Sequence, residues 1–181
     1  VEKEACSLGL APTASTTATL VMGDALAVAL LDARGFTPDD FALSHPGGSL
    51  GRKLLLKLDD IMCKGDFLPL VTTDQTISQA LLEISRKGLG MAGIVAEDGR
   101  LLGIFTDGDL RRVLDARVDI HTVRIESVMT ANCITASQNT LAAEVLNVMQ
   151  KRKISSLFIV DEQNMPVGAI NMQTLLSAGV I

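Results

Sequence analysis

A mixed α/β fold is predicted, with two β-α-β-β-α repeats packed as one domain behind a helical N-terminal segment. Three observations predict it. Asp59-Asp60-Ile61-Met62 is answered later in the chain by Glu126-Ser127-Val128-Met129, the mark of an internal repeat. The apolar run Gly103-Ile104-Phe105 stops at Thr106-Asp107-Gly108-Asp109, a Thr-x-x-Asp pattern in which a buried strand feeds straight into a capped helix. Gly168-Ala169-Ile170-Asn171-Met172-Gln173-Thr174 echoes that pattern in weaker form.

The N-terminal segment comes first. Residues 1–12 read as the exit from a larger domain, a loop that ends at Ala11-Pro12. A helix is predicted over 16–34, with Ser15 or Thr16 as its cap, Ala, Leu and Met in its body, and Gly35 at the C′ position. Leu20, Val21, Ala25, Val28, Ala29 and Leu31 spread round nearly all of its faces. Such a helix is expected to be enclosed by other elements or by another subunit. Thr37-Pro38-Asp39-Asp40 starts a second, short helix, with Thr as cap, Pro at the first helical position and acids in the first turn.

The repeats follow. Leu70-Val71-Thr72 and Cys133-Ile134-Thr135 read as matching short strands. Thr76-Ile77-Ser78-Gln79 is a capping box that opens a helix with Leu81, Leu82 and Ile84 inward, closed by Gly88. Its counterpart is expected to open at Thr140 and to bury Val145, Leu146 and Val148. Met91–Ala96, an Asp98-Gly99 turn and Leu101–Phe105 make a hairpin-like pair of strands; Leu157–Val160 and Val167–Ile170 repeat it across Glu162–Asn164. Units this small bury too little surface alone, so the two are expected to share one core, with a ligand cleft between them.

Composition excludes several classes. The 181 residues carry a net charge of −5 with mixed signs, which argues against a nucleic-acid partner. Three separated cysteines (Cys6, Cys63, Cys133) and two histidines supply no metal-ligand spacing, and they fit a reduced, cytoplasmic protein. The longest apolar run, around Ala25 to Leu31, is too short for a membrane span, and no membrane role is expected. No cofactor is indicated.

Two places carry chemistry. The first turn after Thr106 offers free backbone N–H groups to a phosphate, and Asp109 can accept hydrogen bonds from sugar hydroxyls. The same Thr-x-x-Asp also serves as a plain helix cap. In the loop Ser44-His45-Pro46-Gly47-Gly48, His45 is either an acid/base group or a turn residue of a linker. His121, between the repeats, reads as solvated.

The Ile-Met opening, the paired strands and Gly-Ile-Phe-Thr-Asp-Gly-Asp resemble a tandem pair of cystathionine-β-synthase (CBS) domains, here residues 59–115 and 126–181. The resemblance implies a nucleotide site in which Asp109 holds ribose hydroxyls and Thr106 lies near phosphate, with Asp74 and Ser127 as further cleft positions. Asn171 and Thr174 depart from that pattern, so at most one conventional site is expected. Residues 1–55, through Met22-Gly23-Asp24-Ala25-Leu26-Ala27 and Ser44-His45-Pro46-Gly47-Gly48-Ser49-Leu50-Gly51, resemble the end of a sugar-isomerase (SIS) domain. A SIS end followed by a CBS pair is the layout of the D-arabinose 5-phosphate isomerases of Gram-negative bacteria, and Thr106–Arg112 is also similar to them. That resemblance implies an aldose–ketose isomerase that acts on a sugar phosphate through an enediol and feeds Kdo and lipopolysaccharide synthesis. It also implies a homotetramer, and it makes His45 the catalytic group this chain contributes. AMP, ATP and CMP-Kdo are the candidate regulators. Two alternatives are a nucleotide-sensing pair attached to a different activity and a pair that only mediates assembly.

Overall fold

The computed structural model describes residues 1–44 and 55–180, so His45 lies outside the described residues. The chain divides into two compact units, Val1–His45 and Pro46–Ile181.

In the first unit α1 spans Ala14–Ala33. Its N-terminus is capped differently from the sequence expectation of Ser15 or Thr16. Thr13 occupies the cap position, and the Glu4 carboxylate accepts from the Thr13 N–H (2.8 Å), the Thr13 hydroxyl (3.1 Å) and the Ser15 N–H (3.2 Å). A carboxylate reaching in from an earlier loop satisfies orphan first-turn donors and opposes the positive end of the helix dipole. At the other end Gly35 adopts φ +61°, and bonds from Gly35 N to Asp32 O and from Phe36 N to Leu31 O complete a Schellman motif. Helix α2, Pro38–Ser44, is capped as expected, with the Asp40 carboxylate accepting from both the N–H and the hydroxyl of Thr37.

Glu4 makes the first unit acid-sensitive. Hydrogen bonding, from the Ser15 side chain first and then from the Thr13 backbone, lowers its pKa from 4.5 to about 2. The folded state therefore binds fewer protons than the unfolded chain between those values. The stabilisation is complete above the unfolded pKa and is lost as pH falls from about 4.5 towards 2. Circular dichroism of the 1–44 segment is expected to show α1 fraying over that interval. Glu4→Gln is expected to remove the pH dependence, and an unchanged acid transition in that variant would clear Glu4 of the role.

No residue of α1 is buried, and Leu20, Val21, Met22 and Leu26 are each more than half exposed. Among the described residues no element encloses the helix. By length and composition alone it could cross a membrane. The run from Ala25 to Leu31 understated this, because Asp24 interrupts the apolar stretch without interrupting the helix.

In the second unit each repeat is β-α-β-β-α, as expected. The first runs β1 (Leu70–Thr72), α4 (Ile77–Lys87), β2 (Met91–Val95), β3 (Leu101–Thr106) and α5 (Asp107–Asp115). The second runs β5 (Thr135–Ala136), α6 (Ala142–Arg152), β6 (Ser156–Val160), β7 (Pro166–Asn171) and α7 (Met172–Ser177). A short helix α3 (Leu58–Ile61) precedes the first repeat, and β4 (Thr130–Ala131) precedes the second. Within each repeat the first strand pairs parallel and the last two pair antiparallel, giving sheet orders β1-β2-β3-β4 and β5-β6-β7. Thr76 caps α4 with Gln79 in the reciprocal box, and Gly88 closes it at φ +71°.

The lead-in segments are exchanged. β4, which introduces the second repeat, pairs with β3 of the first. Cys63, which follows α3 and introduces the first repeat, exchanges two backbone bonds with Ala169 of β7 in the second. The repeated methionines explain themselves here: Met129 lies over Gly103, and Met62 lies over Gly168. Leu58 and Met62 are accordingly buried with Val145, Met149 and Ile170 of the second repeat, while Ile125 is buried with Ile77, Ile94 and Phe105 of the first. A third cluster joins Leu68, Leu89, Met91 and Leu101 to Phe158 and Ala169 across the pair.

The exchange also corrects one helix start. α6 begins at Ala142 rather than at Thr140, and Leu141, at its cap, makes no side-chain capping bond. The lead-in chain serves instead: Leu56 O accepts from Ala142 N (2.8 Å), and Thr140 O accepts from Leu58 N (3.0 Å).

Candidate functional site

Thr106 is the last residue of β3 and the cap of α5, so its backbone turns from extended to helical at the sheet edge. Asp109, on the first helical turn, points back at it. Oδ2 of Asp109 accepts from the Thr106 N–H and from the Thr106 hydroxyl, both at 2.8 Å. Oδ1 accepts from the Thr130 hydroxyl at 2.6 Å and from the Arg112 guanidinium. A carboxylate has about four acceptor positions. Here all four are used, and Asp109 is only 2 % exposed. The side chain is thus a buried anion whose charge is met by one cation and three neutral donors.

The second repeat reverses this arrangement. Asn171, at the cap of α7, supplies the acceptor, and the N–H and hydroxyl of Thr174 donate to its Oδ1 at 2.9 Å each. Acceptor and donor have changed places, and the charge has gone. In the positions that correspond to Arg112 and Thr130 stand Ser177 and Cys63. No carboxylate, guanidinium or hydroxyl triad remains there, and the two helix starts differ in charge.

The other two cleft residues sit elsewhere. Thr72 pairs with Val95, whereas Met91 pairs with Thr106, so Asp74 lies beyond the opposite end of the first sheet from Thr106. Asp74 is exposed, and the Thr72 hydroxyl, its main hydrogen-bond donor, holds its carboxyl below the usual range. Ser127 is exposed in the 3₁₀ turn Ile125–Ser127, and its hydroxyl donates to Arg124 O (2.8 Å). These two belong together: Ile125 N donates to Gln75 O, and Thr76 bridges to Arg124. The structure therefore brings Thr106 to Asp109 and Asp74 towards Ser127, as two separate groups.

Sequence reasoning missed Arg112 and Thr130. Arg112 had a legible signal, because a cation three residues after an acid on a helix faces it. Thr130 had none, since only the pairing of β4 with β3 delivers it.

Chemically the arrangement suits recognition. A carboxylate saturated with donors is a poor general base, and among the described residues no group of three His, Cys, Asp or Glu is placed to hold a metal ion. A cavity of about 670 Å³ in the second repeat is lined by Thr135, Ser137, Asn139, Asp161 and Gln163 among others, away from Thr106. Burial raises the Cys133 thiol above its ordinary pKa, so it is not an activated nucleophile.

A family model for the CBS domain matches residues 58–116 and 125–180. Arabinose 5-phosphate isomerase KdsD of Pseudomonas aeruginosa is 56% identical over 181 residues, covering 100% of this chain and 56% of the relative. The protein of the same name from Escherichia coli K12 is 57% identical over 181 residues, with 55% of its length covered. The chain thus spans about half the length of these curated relatives. Among solved structures, the CBS domain pair of protein MJ0100, in complex with 5′-methylthioadenosine and S-adenosyl-L-methionine, is 26% identical with a TM-score of 0.61. That likeness covers 68% of this chain and 94% of the other. An uncharacterized conserved protein from Pyrococcus horikoshii is 29% identical with a TM-score of 0.61, over 68% of this chain and 91% of that one.

Proposed function

Because the chain belongs to the CBS domain family, we propose that its second unit is the ligand-sensing module of a D-arabinose 5-phosphate isomerase. The observation that carries this reading is the identity with the KdsD relatives, which runs over all 181 residues and so includes the first unit as well as the pair. The isomerase interconverts D-ribulose 5-phosphate and D-arabinose 5-phosphate for Kdo and lipopolysaccharide synthesis, in the cytoplasm and as a homotetramer. The reaction moves one proton between C1 and C2 through an enediol, and it needs a base beside the carbon acid and a cradle for the phosphate. His45 is the acid/base group that this chain contributes. The apolar surface of α1 fits a helix covered in a larger assembly.

Within the module the ligand is a nucleotide or a sugar nucleotide, with AMP, ATP and CMP-Kdo as the compounds to try. Asp109 takes the ribose hydroxyls, and the first turn after Thr106 lies near phosphate. Support comes from the buried carboxylate at the start of α5 and from the adenosyl compounds held by the MJ0100 pair. Asp74 and Ser127 extend the recognition surface at the far end of the first sheet.

The test uses the full-length protein that carries this chain. Incubated with D-ribulose 5-phosphate, it is expected to form D-arabinose 5-phosphate. No conversion would overturn the isomerase reading and leave a sensor attached to another activity. His45→Ala in the same protein is expected to lower turnover, and an unchanged kcat would remove His45 from the mechanism. A nucleotide panel added to the assay is expected to change the rate; constant rates with every compound would assign the pair to assembly alone.

A further inference from the structure

The reading of Thr106 and Asp109 as a nucleotide site leaves a difficulty at Asp109. A ribose diol brings two more donors to a carboxylate that already accepts four hydrogen bonds and is 2 % exposed. For each hydroxyl that binds, one of the present donors has to leave. The Thr106 N–H and hydroxyl sit at the cap, so their release would open the first turn of α5. Arg112 is different. Its side chain is 69% exposed, and its guanidinium, once released, is readily hydrated.

We propose that Arg112 is a latch on Asp109 that a ligand's vicinal diol displaces, and that the displaced guanidinium then meets the ligand's phosphate. Its resting place supports the second half. A side-chain atom added at Gly108 would lie 3.8 Å from Arg112 Nη1 and 3.6 Å from the Thr106 hydroxyl, so the guanidinium rests over the first turn of α5. Arg112 also lies 3.4 Å from the Thr130 hydroxyl, which keeps a partner on Asp109 when the arginine leaves. Recognition of sugar and of charge is thereby coupled through one side chain. A neutral nucleoside has to open the latch with nothing for the arginine to bind, whereas a nucleotide supplies a new partner. The second repeat, with Ser177 and Thr174 at the corresponding positions, has neither part of the device.

The experiment is calorimetric titration of the chain with adenosine and with AMP, for the wild type, Arg112→Ala and Arg112→Lys. Arg112→Ala is expected to bind adenosine several-fold more tightly than the wild type, because no cation competes for Asp109. Its preference for AMP over adenosine is expected to fall about tenfold, the loss of one charge-assisted phosphate contact. Arg112→Lys, which keeps the charge, is expected to retain the AMP preference. Binding of both compounds with the same preference in Arg112→Ala as in the wild type would overturn the latch alone. Adenosine binding that weakens in Arg112→Ala would overturn it as well. Absence of binding of either compound by all three proteins would instead overturn the nucleotide reading, and the latch with it.

Discussion

Replacing Asp109 by alanine is expected to destabilise the second unit by about 2 to 3 kcal/mol, the order found when a buried, multiply bonded charged partner is lost. The magnitude follows from what is stranded. The Thr106 N–H and hydroxyl lose their acceptor at the start of α5, and the Thr130 hydroxyl loses the contact that ties β4 to the helix. Arg112 is released to water at little cost, because its side chain is already 69% exposed. Asp109→Asn is expected to do nearly as badly: its amide group offers donors to at least one of the two sets of donors that now converge on the carboxylate. Asn171→Ala in the second repeat is the natural comparison. It removes a neutral cap and is expected to cost only about 1 kcal/mol. Urea unfolding of the three variants measures the difference, and equal losses at Asp109 and Asn171 would show that the charge adds nothing beyond capping. Nucleotide binding is expected to vanish in Asp109→Ala.

Phe158→Ala is expected to cost more, about 3 to 5 kcal/mol, as fully buried phenylalanines do. Phe158 is completely buried at the centre of β6, and its ring lies on Gly93 of β2 in the other repeat. A methyl group at Gly93 would approach the ring to 2.8 Å, so the glycine is the space the phenylalanine occupies. The two positions are therefore coupled. Gly93→Ala is expected to destabilise the wild type by overpacking, and to cost much less in a Phe158→Ala background. Simple additivity of the two would sink this account of the contact. Because the cavity opens in the core shared by both repeats, unfolding of the variant is expected to stay a single transition. Two separate transitions would mean that each repeat holds together without the other.

The contrast between Gly103 and Gly168 belongs to the same physics. An added carbon at Gly103 would meet the backbone oxygen of Thr130 at 2.6 Å, whereas at Gly168 it meets the side chain of Met62. A carbonyl held in a strand ladder cannot move aside as a thioether can. Both glycines read from the sequence only as parts of a repeated motif. Their role, as floors for the methionine of the opposite repeat, follows from the exchange of lead-in segments.

Much of the arrangement was legible because local chemistry acts over a few residues. The capping boxes at Thr76 and Thr37, the hairpin turn at Asp98-Gly99, the αL closures at Gly35 and Gly88 and the Thr106–Asp109 pair are all set by neighbours within four positions. Where a distant residue could do the same work, reading by neighbours failed. Glu4 caps α1 in place of Ser15 or Thr16, and Leu56 takes the Ala142 N–H that a Thr140 cap was expected to order. His45, the expected catalytic contribution, lies outside the described residues.

From its own residues the chain determined two repeats of β-α-β-β-α, one charged and one neutral helix start, and an apolar first helix that no described residue of its own unit buries. The tertiary structure decided which repeat each lead-in segment serves. The alternatives are alike in pattern, since Met62 and Met129 each suit either glycine, and only the path of the chain through three dimensions separates them. It also decided that Asp74 and Asp109 face different ends of one sheet, because strand register sets that distance and spacing in the sequence does not. And it placed Thr130 on Asp109 beside Arg112, turning a helix cap into a buried anion whose cation partner is exposed.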